Sequence, residues 1–219
     1  MPVKINSSGG GSVTLSSGGI ATDVIATFPA TTGNAVVDTA VQTLTNKTLT
    51  SPTITGAVVS SMASSVLTLG TAQASTSGTA IDFTGIPSWV RRVTVMLSGV
   101  STNGSSSLLL RIGSGSVVTS GYVSSASFCG SSQGVGASTA GFVIALTTLG
   151  QAFSGILTVN LLNPASFLYS EAGVVADGAN FSVMGGGFVT LAGALDRIRI
   201  TTINGTDLFD AGSINIMWE

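Results

Sequence analysis

Arg92-Val93-Thr94-Val95-Met96-Leu97 decides the fold class of this 219-residue chain. Val93, Val95 and Leu97 fall on one face and Thr94 and Met96 on the other, and a period of two cannot lay one apolar stripe along a helix. The alternation returns in Arg197-Ile198-Arg199-Ile200-Thr201, with isoleucines facing one way and arginines the other. In Ser213-Ile214-Asn215-Ile216-Met217-Trp218, it places Ile214, Ile216 and Trp218 on a common face. Working outward, further strands are expected at 80–83, 107–112, 122–128, 142–147, 155–162 and 188–191, separated by turn residues.

Several turns have a mechanism. Asn103-Gly104 and Asn204-Gly205 supply residues tolerant of positive φ. Gly85-Ile86-Pro87 ends the strand before it, because proline removes a ladder donor. Gly185-Gly186-Gly187 reads as a turn or bulge. Short antiparallel strands with few helix signals predict an all-β fold, an antiparallel β-sandwich of jelly-roll type, over 72–219.

Residues 1–71 differ. Ser7-Ser8-Gly9-Gly10-Gly11 and Ser16-Ser17-Gly18-Gly19 flank the short β run Ser12-Val13-Thr14-Leu15. Short runs follow at 24–28 and 35–37, and 42–56 alternates small polar and apolar residues. This segment has too few large side chains to build a core by itself. It is expected to be an extended β arm whose copies intertwine.

Composition narrows the function. Charged residues are 7% of the chain, against about 25% in an ordinary soluble domain. A surface so poor in charge invites association and edge pairing, which argues for an obligate oligomer. Disorder is disfavoured, since disordered chains combine high charge with low hydrophobicity. No apolar stretch reaches the roughly 18 residues of a transmembrane helix, so membrane insertion is not expected. Met1-Pro2-Val3-Lys4-Ile5-Asn6 has no apolar signal-peptide core, and synthesis in a cytoplasm is expected. Nine acidic residues face seven basic ones, with no basic patch for a nucleic-acid partner.

Catalytic chemistry is scarce. There is no histidine, which removes His-based triads, His metal ligands and His acid–base catalysis. Gly130-Ser131-Ser132-Gln133-Gly134 spells the nucleophile-elbow pattern by chance in Ser/Gly-rich sequence. Asp38-Thr39-Ala40 is explained by turn chemistry. Asp207 and Asp210 share one loop, where turn capping is favoured over weak Ca²⁺ binding. Cys129, the only cysteine, is expected to be a buried thiol. No catalytic residue, cofactor or metal site is expected. Aromatic residues are left as recognition candidates: Trp89, Tyr122 and Tyr169 for contact with a receptor or partner, with Phe167, and with Trp218 read as packing on the core or an interface.

Gln42-Thr43-Leu44-Thr45-Asn46-Lys47-Thr48-Leu49 with Ser51-Pro52-Thr53-Ile54 resembles a recurrent element of bacteriophage tail-fibre and virion-fibre proteins. Ile5-Asn6-Ser7-Ser8-Gly9-Gly10-Gly11-Ser12-Val13-Thr14-Leu15 is similar to the starts of the same group. Ile81-Asp82-Phe83-Thr84-Gly85-Ile86-Pro87-Ser88-Trp89-Val90, Ser98-Gly99-Val100-Ser101-Thr102-Asn103-Gly104 and the stretch from Asp196 through Asn204-Gly205-Thr206 resemble phage fibre domains. The resemblance implies a virion structural protein, homotrimeric, and brings no catalytic residues. The expectation is a fibre or surface spike, leaning to a head fibre or capsid decoration bound to other virion proteins through its arm. The alternative is a tail fibre or adhesin recognising a host surface glycan.

Overall fold

The computed structural model describes residues 3–6, 12–15, 67–130, 133–146, 151–178 and 181–219. The chain divides into two compact units, Met1–Val58 and Val59–Glu219. In the first, β1 (Val3–Asn6) and β2 (Ser12–Leu15) form an antiparallel hairpin. The expected strands at 24–28 and 35–37 and the alternating segment 42–56 lie outside the described residues.

The second unit holds β3 (Thr68–Leu69), β4 (Gln73–Ala74), β5 (Ala80–Thr84), β6 (Arg92–Thr102), β7 (Leu108–Ser114), β8 (Ser116–Val117) and β9 (Val123–Cys129). It continues with β10 (Gln133–Ser138), β11 (Phe142–Ala145), β12 (Phe153–Asn163), β13 (Leu168–Asp177), β14 (Ser182–Thr190), β15 (Arg197–Thr202) and β16 (Phe209–Trp218). Among the described residues there is no helix, and every strand pair is antiparallel. A large sheet runs β10-β9-β14-β13-β12-β6-β16-β3, with β4 also on β16. A small sheet runs β11-β7-β15-β5, with β8 on β7. β3 falls before the expected boundary at 71/72, yet pairs with β16.

The two sheets share one core, as in a β-sandwich. Val95 and Leu157 from the large sheet and Leu110, Phe142, Ile198 and Ile200 from the small one are almost wholly buried in one cluster. Burying side chains of this size stabilises by about 1.5–3 kcal/mol each. The alternation in the sequence is the burial pattern: Val93, Val95 and Leu97 point inward, as do Ile198 and Ile200.

Two expectations are corrected. Gly185-Gly186-Gly187 is neither turn nor bulge; it lies inside β14, in unbroken register with β13 and β9. A Cβ on Gly185 would stand 2.7 Å from the Val143 carbonyl oxygen of β11, so a bare backbone lets the sheets approach there. Cys129 is exposed rather than buried, because it ends β9 opposite Ser182, in the outward phase.

Candidate interaction surface

The three aromatic candidates part company. Trp89 is 52% exposed in the 85–91 turn. Gly85 opens that turn with φ +78°, and the Val90 amide closes it on the Pro87 carbonyl at 3.0 Å. Ile86 and Val90 are buried and anchor it on either side of the indole. Beside it, the Arg91 and Arg92 amides donate to the Glu219 carbonyl, the Arg92 side chain pairs with the Glu219 carboxylate, and the Leu161 amide donates to the Arg91 carbonyl. This end of the large sheet thus presents an indole with two guanidinium groups adjacent in sequence.

Tyr122 and Tyr169, expected to contact a receptor, do not reach the surface: they are 1% and 3% exposed. Each is fixed by its hydroxyl. Tyr122 accepts from the Ile112 amide at 2.8 Å and meets the Phe142 ring edge-on at 4.9 Å. Burial pushes its phenol up to about 12, against the opposing effects of the Ile112 hydrogen bond and the Arg111 charge. Tyr169 accepts from the Leu195 amide at 2.9 Å. A buried phenol that satisfies backbone donors is a structural tie. Phe167 and Trp218 pack partly buried against the core.

Asp207 caps turns. It accepts from the Ser106 amide at 2.9 Å and from the Asn204 amide group, joining loops 103–107 and 203–208. Asp210 pairs instead with Ser101 Oγ. Among the described residues no cluster of three His, Cys, Asp or Glu side chains could hold a metal ion.

Glu171, which the sequence reading did not single out, is 2% exposed on β13, and neither carboxylate oxygen meets a hydrogen-bond partner. Burial pushes its carboxyl up to about 8. Its inward phase is set by its neighbours in register, buried Val159 of β12 and Gly187 of β14.

Charge is sorted between the two outer faces. On the small sheet, Asp82, Arg199 and Arg111 form a lateral row in register. Arg199 holds Asp82 through two hydrogen bonds of 2.7 and 2.6 Å, which lifts the Arg199 guanidinium further above its ordinary range. Next in line, Arg197 binds Asp196 and holds its carboxyl below the usual range, partly opposed by burial.

On the large sheet, the outward positions of β9, β10, β12, β13 and β14 carry no charge at all. The two acidic residues of these strands, Glu171 and Asp177, stand in the inward phase, opposite buried Val159 and Phe153. Val135, Ser127, Met184, Val174 and Ile156 lie directly across from one another in a lateral row. Val135 is 86% exposed, and Met184, Val174 and Ile156 are about half exposed. Val123 and Phe188 make a second exposed apolar pair in register. Over the small residues Ser125, Ser127 and Gly186 the face has a shallow depression of about 340 Å³, bordered by Val135 and Met184.

The signal for this face was present but masked. Glu171 occupies a core position in Tyr169-Ser170-Glu171-Ala172-Gly173-Val174-Val175, and the three glycines imitate a turn. Alternation therefore does not mark β13 or the first half of β14 as strands. Compared with known proteins, the chain matches no family model, no curated protein and no solved structure.

Proposed function

We propose that this chain is a structural protein of a bacteriophage particle, a homotrimeric fibre or surface spike. In this reading residues 1–71 form an intertwined arm that binds other virion proteins, and 72–219 form a jelly-roll-like head. The particle is its place of work after synthesis in the host cytoplasm, and it carries out no reaction. A head fibre or capsid decoration is preferred over a tail fibre.

The observation that supports the reading best is the sorting of charge. An antiparallel domain that solvates one outer face with ion pairs and leaves five strands of the other without a charge is built to be covered. The resemblance of the segments around Thr43–Leu49 and Ile81–Val90 to phage fibre sequences supports the biological setting. Cryo-electron microscopy of the particle tests it. Density for the domain on the capsid is expected, a tail-tip position overturns the preference for the head, and absence from the particle overturns the reading.

A second reading, a host-binding adhesin, is favoured by one feature. Trp89 stands exposed on an anchored turn, and an exposed indole face suits stacking on a sugar. A glycan array with the purified protein and its Trp89→Ala variant tests this. Binding lost in the variant supports it, and no binding by the parent protein rejects it.

A further inference from the structure

We infer that the uncharged outer face of the large sheet, over β10, β9, β14, β13 and β12, is the surface on which copies of this chain meet. The inference rests on the trimeric reading above and goes further by locating the interface.

The face has the size for the task. Five strands at about 4.8 Å spacing, each contributing about seven residues at about 3.3 Å, cover roughly 550 Å² in plan. Side-chain relief raises the accessible area above that plan figure, toward the about 800 Å² per partner of a stable interface. It also has the right relief. The side chains of Met184, Val174 and Ile156 make one ridge, Val123 and Phe188 another, and a depression over Ser125, Ser127 and Gly186 lies between Val135 and Met184. A ridge from one copy can enter the depression of the next.

The second copy is the occupant that the charges favour. When identical faces turn inward around a common axis, each like charge is brought against its own copies and repels them. This face holds no charge to repel itself. The small-sheet face, with Asp82, Arg111, Arg197 and Arg199, would pay that penalty and stays in solvent. At the far edge, the large sheet is closed by the two-residue strands β3 and β4 on β16, a short-strand device that blunts edge pairing. The β10 edge, Gln133–Ser138, carries no charge and no proline, and it borders the proposed interface.

The test uses the full chain and a Val123→Asp, Val174→Asp double variant, two positions out of register with each other on the same face, with mass in solution and circular dichroism as readouts. Both positions are about half exposed in the single chain, so the strands have no reason to unfold. Buried at an interface, two carboxylates per copy are expected to weaken association by at least about 100-fold, giving folded single chains. A double variant as firmly trimeric as the parent overturns the interface assignment and leaves the trimer standing. A parent protein that is a single chain at every concentration overturns the trimeric reading itself.

A second readout needs no disruption. In a Cys129→Ser background, Met184→Cys is expected to react with maleimide at least about 10-fold more slowly than Thr84→Cys on the small-sheet face, by analogy with amide protection in ordered contacts. Equal rates in the trimer overturn the assignment. Protection of Met184→Cys in a species of one chain overturns it in favour of the chain's own residues as the cover.

Discussion

Gly99 of β6 and Gly212 of β16 lie side by side with left-handed backbone, φ +62° and +92°, and a side chain on Gly212 would run into the Gly99 and Ser98 carbonyl oxygens. Around them each strand takes in one extra residue, β6 between Ser98 and Ser101 and β16 between Phe209 and Ala211. The two insertions offset each other, so the ladder resumes in register. Inward residues then switch phase together, from Val93, Val95 and Leu97 to Val100 and Thr102 in β6, and from Phe209 to Ile214 and Ile216 in β16.

Gly212→Ala is therefore expected to destabilise by at least about 2 kcal/mol, combining the left-handed penalty with backbone collision. Chemical denaturation checks it. A change below about 0.5 kcal/mol would show that the paired bulges are not tightly held.

The Tyr122 hydroxyl is the partner of the Ile112 amide. Tyr122→Phe keeps the ring against Phe142 but strands that donor, at a cost of about 1–3 kcal/mol. The expected result is a lower Tm with an unchanged circular dichroism spectrum before the transition.

Glu171 couples stability to pH. Its carboxyl is raised in the folded chain to about 8 by burial, from an ordinary value near 4.5 in the unfolded chain. Folding therefore favours the protonated form. The stabilisation is full below about pH 4.5 and is lost as pH rises through about 8, a swing of up to roughly 5 kcal/mol. The chain has no histidine, which leaves this window free of imidazole titration. Tm is expected to fall between pH 5 and pH 8 in the parent, and Glu171→Gln is expected to flatten the slope. Equal slopes would contradict the assignment.

Asp82 and Arg199 pair on an exposed face, where such a pair contributes about 0–1 kcal/mol. Asp82→Asn is expected to shift stability by less than about 1 kcal/mol and to leave the mass in solution unchanged. A change in mass would place this face in an interface.

The same bulges explain how far the fold was legible in the sequence. Alternation marks 92–97 and 213–218 as strands, but it breaks off at the paired glycines. At Gly99 and Gly212 the strand continues and only its phase changes. The all-β class was legible because period two survives in Val93–Leu97, Arg197–Thr201 and Ile214–Trp218. β13 was not, because an acid sits where an apolar residue belongs, and β14 was truncated because its glycines admit close backbone approach instead of turning the chain. Among the candidate contacts, the residues around Trp89 do not fix its side; the turn that Val90 closes on Pro87 leaves it exposed. Tyr122 and Tyr169 look alike in sequence whether their hydroxyls meet water or a backbone amide, and pairing across 10 and 26 residues decided it. The outer row from Val135 to Ile156 exists only through register, which no single segment encodes.

The mass of the purified full chain by sedimentation equilibrium tests the central claim most directly. The account predicts a species of three 21.7 kDa chains, about 65 kDa, that persists on dilution to the nanomolar range. A single 21.7 kDa chain at all concentrations would contradict it.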